Sequence, residues 1–197
     1  MQVQNMSVIA VTSAVAGEGK TFAAANLAVN LAAAGERKTL LLDFDMRNSD
    51  LAEGMGIVPT PGLSEFLSEQ VQLKEVVRNS HYKGLFVIPS GANVSNPTDF
   101  LTRSSFEQTL KYLRSHFNYI VIDTPPVLPV SDTLILRDYV DGFILVVRSD
   151  FTPYNMIKKT VEEIGESSIL GVIINGVMLE GKRYYKRYYG KYYNPPS

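Results

Sequence analysis

Residues 7–34 read SVIAVTSAVAGEGKTFAAANLAVNLAAA, and the expected fold follows from them. Ser7–Thr12 is a short β-branched apolar run, the pattern of a buried strand. Lys20–Ala34 places Ala24, Leu27, Ala28 and Leu31 on one helical face, and Gly35 supplies a stop. Between them lies Ser13–Thr21, SAVAGEGKT. A loop that cradles phosphate needs small residues that let successive N–H groups turn toward an anion. It also needs a Lys for the β- and γ-phosphates and a hydroxyl for Mg²⁺. Gly17, Gly19, Lys20 and Thr21 supply these at the start of a helix whose dipole favours negative charge. The first glycine of G-x-x-x-x-G-K-[ST] is replaced by Ala14. A glycine-rich turn with a solvated lysine is the competing reading, and the strand–loop–helix context weighs against it.

Two acidic features extend the pattern. Thr39–Arg47 reads TLLLDFDMR, a strand ending in Asp43 and Asp45, with the side-chain period of two setting both carboxylates on one side. Tyr119–Pro126 reads YIVIDTPP, four residues of a strand followed by Asp123, the arrangement in which a carboxylate holds Mg²⁺ directly or through water. Further strands are expected at Gly84–Pro89, Gly142–Val147 and Ile169–Asn175, the last closing the core. Helices are expected from Ser104, with Phe106, Leu110, Leu113 and Phe117 on one stripe, and after Thr152 and Pro153, an N-cap and first-turn pair with Ile157, Val161 and Ile164 inward. Apolar strands alternating with helices predict an α/β fold, a mostly parallel sheet flanked by helices on both faces.

Composition removes other classes. The 197 residues contain no Cys, which excludes disulfide scaffolds and Cys-ligated metals, and the two histidines, His81 and His116, read as loop or helix-end residues. With 19 basic and 20 acidic residues the net charge is −1, so no global nucleic-acid footprint exists. No apolar run approaches the ~20 residues that span a bilayer, and Met1–Ser7 lacks the form of a signal peptide. Periodicity stops near Met178. Residues 1–177 read as one ATP-binding domain and 178–197 as a flexible tail, where Tyr184/Tyr185, Tyr188/Tyr189 and Tyr192/Tyr193 recur every four residues among Lys182, Arg183, Lys186, Arg187 and Lys191.

The order of these motifs resembles the bacterial tyrosine kinases, within the deviant P-loop group that also holds the MinD- and ParA-type ATPases. The resemblance covers nearly all of 7–177 and includes SNPTDFL at Ser95–Leu101, IDTPPVLPVSDTLIL at Ile122–Leu136, DGFILVVR at Asp141–Arg148 and LGVIINGV at Leu170–Val177. It implies a P-loop kinase domain using ATP and Mg²⁺. On that resemblance Ala16, Gly17, Glu18, Gly19, Lys20, Thr21, Phe22 and Asn175 line the nucleotide, although Asn175 with Gly176 reads equally as a turn. Thr21, Asp45 and Asp123 hold the metal, and Lys20, Asp43, Asp45 and Asp123 are catalytic, Asp43 as base or orienter for an incoming tyrosine hydroxyl. The six tail tyrosines become phosphoacceptors.

The implied partners are other copies of the chain, phosphorylated in trans, a Wzz-like membrane polysaccharide co-polymerase as activator, fused or separate, and sugar-nucleotide enzymes as substrates. The implied setting is the cytoplasmic face of a bacterial membrane, in control of exopolysaccharide or capsule export. Two departures stand out. Val15 occupies the place of the second lysine of the partitioning ATPases. Only six residues precede Ser7, where the family carries a Glu- and Arg-bearing helix used in ring assembly, so a piece of a longer membrane-anchored protein is one expectation. A nucleotide-switch ATPase, or a nucleotide-binding regulator without turnover, are the alternatives, and the tail alone also suits a segment that binds membrane or RNA.

Overall fold

The computed structural model describes residues 7–35, 37–101 and 104–178. The six tail tyrosines, with all of 179–197, lie outside the described residues. Among the described residues the strands are β1 (Val8–Ser13), β2 (Thr39–Asp43), β3 (Arg78–Asn79), β4 (Leu85–Ile88), β5 (Tyr119–Asp123), β6 (Gly142–Arg148) and β7 (Ile169–Asn175). The helices are α1 (Lys20–Ala33), α2 (Leu51–Gly54), α3 (Leu63–Leu67), α4 (Leu73–Val76), α5 (Thr98–Leu101), α6 (Ser104–His116), α7 (Asp132–Ile135) and α8 (Tyr154–Ile164). One sheet runs β3-β4-β2-β5-β1-β6-β7, with every pairing parallel except β3 with β4.

The two faces of the sheet explain the sequence pattern. Val8, Ala10, Leu40, Leu42, Ile120 and Ile122 face one layer, where Phe106, Leu110 and Leu113 of α6 and Ile164 of α8 cover them. Val11, Leu41, Val87 and Val121 face the other, under α1 and Leu51. Strands buried on both faces must be apolar at every position, so periodicity of two is lost and the run becomes continuous. Phe106 also meets Phe44 and Tyr139, with ring centroids 5.9 and 5.4 Å away.

One expectation is refined and two need correction. The fully buried stripe of α1 is Ala24, Ala28 and Ala32, and Leu27 and Leu31, half-buried at its flanks, pack against the same layer. Methyl groups let the helix lie close over the central strands, and the larger leucines spread sideways. Thr152 does not cap α8, whose N-cap is Pro153; its hydroxyl bonds the Glu18 carboxylate instead. Strand β7 does not close the core. It is the sheet edge, and Val172 and Ile174 remain 55% and 64% exposed. Apolar composition identified the strand and gave no information on whether anything packs against it. No described helix is long and apolar enough to cross a membrane.

This asymmetry has a measurable consequence. Ile120→Ala, at a wholly buried position of β5, should cost about 2–5 kcal/mol. Ile174→Ala on the edge should cost about 0.5 kcal/mol or less. Urea unfolding followed by far-ultraviolet circular dichroism separates the two.

Candidate nucleotide and phosphoryl-transfer site

Parallel register brings the acidic residues together. On β2 and β5, Asp43 stands directly beside Asp123, and Val11 of β1 is the opposite neighbour of Asp123. The loop leaving β1 therefore crosses the carboxyl ends of the strands that carry both carboxylates, the position where open α/β sheets bind ligands. Asp43 and Asp123 follow Leu41 and Val121, so they emerge on the α1 face.

Within the loop, Gly17 and Gly19 have φ of 82° and 93°, left-handed values that glycine adopts without strain. Gly19 caps α1 and accepts from the Ala23 N–H at 3.0 Å. A Cβ there would also fall 2.2 Å from the side-chain nitrogen of Asn175. Ala14 needs no such freedom, because its backbone is not left-handed and its methyl is fully buried. The relaxed first position of the motif is thereby accounted for.

Lys20 reaches across the opening. Its Nζ donates to Asp45 Oδ2 at 3.0 Å and to Thr21 Oγ1 at 3.4 Å, and lies 4.0 Å from Asp123 Oδ1. Burial works against its charge, but Asp123 and Asp45 outweigh that and hold its pKa above the ordinary lysine value. Burial pushes Asp123 up to about 7, partly offset by Lys20, with Asp43 adding like-charge repulsion. Burial likewise raises Asp43 to about 6, against hydrogen bonds from the Ser49 hydroxyl and the Asp45 and Ser90 amides. The Ser49 hydroxyl donates to Asp43 Oδ2 and the Asp45 N–H to Oδ1 at 3.2 Å, so this carboxylate also ties down the loop after β2. Arg47 fastens the same loop, donating from Nε to Asp132 Oδ2 at 2.7 Å and from Nη1 to the Ser95 carbonyl at 2.9 Å.

The result is a cleft of about 510 Å³ whose walls include Gly17, Gly19, Lys20, Thr21, Asp45 and Pro125. Ala16 and Phe22 sit on its exposed rim. The side chains of Glu18 and Asn175 are elsewhere. Glu18 is fully buried, accepting from the Val15 N–H at 2.7 Å and from the Thr152 hydroxyl. Asn175 donates to the Glu18 carbonyl at 2.8 Å and accepts from Gly176, so it forms the Asn-Gly turn and braces the loop from behind. Arg148 completes the brace by donating to the Gly17 carbonyl at 3.1 Å. The roles of Glu18 as a brace, of Thr152, of Arg148 and of Asp132 escaped the sequence reading. For Glu18 a signal existed: a carboxylate aimed at a triphosphate would be repelled, so it had to turn inward.

The donors suit a hard cation. Asp123 Oδ1 is buried and accepts no hydrogen bond among the described residues, while the Thr21 hydroxyl bonds the same carboxylate. An unpartnered carboxylate oxygen beside Asp45 and a threonine hydroxyl is an all-oxygen set. No group of three or more His, Cys, Asp or Glu side chains among the described residues forms a protein-only metal cage. Mg²⁺ does not need one, since it keeps waters and takes the remaining ligands from phosphate.

Comparison with known proteins agrees with this geometry. A family model described as an AAA domain matches residues 6–167. The tyrosine-protein kinase CpsD of Streptococcus agalactiae is 37% identical over 173 residues, 86% of this chain and 74% of that protein. The kinase domain of the Escherichia coli tyrosine kinase ETK superposes with a TM-score of 0.85 at 28% identity, covering 92% of this chain and 71% of that one. The septum site-determining protein MinD of Pyrococcus horikoshii, solved with Mg-ADP, shares the fold at a TM-score of 0.71 and 23% identity, covering 85% and 71%. The chain belongs to the bacterial tyrosine-protein kinases, on the P-loop fold they share with MinD.

Proposed function

We propose that this chain is an ATP- and Mg²⁺-dependent tyrosine autokinase that phosphorylates the tail of a second copy at Tyr184, Tyr185, Tyr188, Tyr189, Tyr192 and Tyr193. The observation that carries the reading is the convergence of Lys20, Asp43, Asp45 and Asp123 at one rim of the sheet, with a buried Asp123 oxygen that accepts no hydrogen bond among the described residues. Residues 1–177 form the kinase domain and 178–197 the acceptor tail. A membrane polysaccharide co-polymerase, fused or separate, is the activating partner, at the inner face of the membrane, and the output is control of exopolysaccharide synthesis and export. Sugar-nucleotide enzymes are further substrates.

Phosphoryl transfer passes through a loose transition state, so the protein positions groups and neutralises charge. Lys20 exchanges its bond to Asp45 for the β- and γ-phosphates of the substrate. Thr21, Asp45 and Asp123 would hold Mg²⁺, which draws charge from the phosphates. A tyrosine hydroxyl, with a pKa of ~10, needs a carboxylate to accept or orient its proton. Asp43 already accepts a hydroxyl, that of Ser49, and its raised pKa leaves it ionised yet basic near neutrality. The incoming hydroxyl takes the place of Ser49 on Asp43 Oδ2.

Labelled ATP with Mg²⁺ should place acid-stable phosphotyrosine on the chain. Lys20→Met should lose at least about 10²-fold of that label, and replacing the six tail tyrosines with Phe should lose it without weakening ADP binding. Free phosphate without protein label would instead favour a nucleotide-switch ATPase.

The pKa shifts fix a sign. Because Asp43 and Asp123 hold protons to a higher pH when folded than when unfolded, the apo fold loses stability as pH rises from about 4 to 7. A bound cation favours their ionised forms, so Mg-ADP affinity measured by calorimetry should rise between about pH 6 and 8 with proton release, and Asp123→Asn should flatten that rise.

Glu18→Ala would strip the Val15 amide and the Thr152 hydroxyl of a buried partner. Its cost should be about 1–3 kcal/mol in thermal unfolding, together with weaker ADP binding, although the side chain does not line the cleft.

A further inference from the structure

At the pole opposite the nucleotide cleft, where β2, β4 and β5 begin, two recesses of about 530 and 400 Å³ lie side by side and share Lys38 and Phe86. Their floors are apolar, with Val29 of α1 in one and Leu73 and Val77 in the other. Their rims are basic. Lys83 stands at the first, Lys74 at the second and Lys38 between them, all exposed, and none of the three pairs with a carboxylate among the described residues.

Solvated lysines alone are an ordinary surface. Here they surround an apolar floor with an aromatic ring, and the complementary ligand carries both an aromatic ring and a compact dianion. Basic side chains take the charge-assisted bonds of a phosphate, and Phe86 offers the ring a face. We propose that these recesses bind phosphotyrosine, and that the occupant is the phosphorylated tail of a second copy of this chain. The inference rests on the reading of the tail as phosphoacceptor.

Charge argues for a switch created by the reaction itself. The unmodified tail carries five basic residues between Lys182 and Lys191 and no acid, so the lysine rim repels it. Each phosphate adds about −1.5 to −2, so three cancel the tail's charge and six reverse it. A second copy can supply the tail. The tail follows β7, which ends beside the phosphate loop at the carboxyl-end pole, whereas the recesses lie at the amino-end pole. Joining the two ends between copies makes a head-to-tail contact.

The test uses the full chain, phosphatase-treated and without nucleotide, and a fluorescent peptide of residues 182–193 carrying phosphotyrosine at positions 184, 188 and 192, followed by anisotropy. The phosphopeptide should bind at least about ten-fold more tightly than the unmodified peptide, and the preference should shrink as salt shortens the Debye length. The Lys38→Glu/Lys83→Glu variant should lose about ten-fold or more of that affinity while binding ADP as the parent does. Equal binding of both peptides, unchanged affinity in the double variant, or capture of phosphatidylserine vesicles in place of the peptide would overturn the proposal. Tail labelling by ATP with no peptide binding overturns this docking and leaves the kinase reading standing. Peptide binding with no tail labelling supports the recesses as an aryl-phosphate site and strikes the kinase reading instead.

Discussion

Asp43 and Asp123 sit side by side in register on adjacent parallel strands, both buried, and that juxtaposition governs the rest of the site. Burial lifts both pKa values well above the usual carboxylate range, with the Asp45 charge adding to the rise at Asp43 and the Asp43 charge adding to that at Asp123. A single ammonium cannot satisfy them. Lys20 donates to Asp45 and Thr21 and meets Asp123 only at 4.0 Å. The deficit of positive charge is an affinity for a cation, and it is built in by the sheet register itself. A one-residue slip of β5 against β2 would send Asp123 to the opposite face and erase it.

Much of the fold was legible because the strands β2 and β5 carry continuous apolar runs, Leu40–Leu42 and Ile120–Ile122, and end in an aspartate, so both their bounds and their depth followed from the residues. The phosphate loop was also legible, since Gly17 and Gly19 occupy backbone conformations that other residues rarely adopt. Strand β7 shows the limit. ILGVIIN has the composition of an inner strand, yet its place at the edge depends on what packs beside it, which local composition does not encode. Glu18 shows a second limit. The resemblance places Glu18 among the residues that line the nucleotide, and its side chain bonds Val15 and Thr152, the latter 134 residues away.

That long-range bond has a structural meaning beyond the site. Arg148 ends β6, Thr152 precedes α8 and Asn175 ends β7, and each is bonded to the stretch Gly17–Glu18. The phosphate loop is thus held from behind by the half of the sheet that leads into the tail. A glycine-bearing loop has high conformational entropy to lose on ordering, and these bonds meet that cost in the fold before any nucleotide arrives.

Buried carboxylates gather at the cleft, and Lys38, Lys74 and Lys83, without a carboxylate partner among the described residues, stand at the far pole. Under the proposed docking, the lysine pole that repels the basic tail would accept it once phosphorylated, so one phosphorylation chemistry would become a change of address.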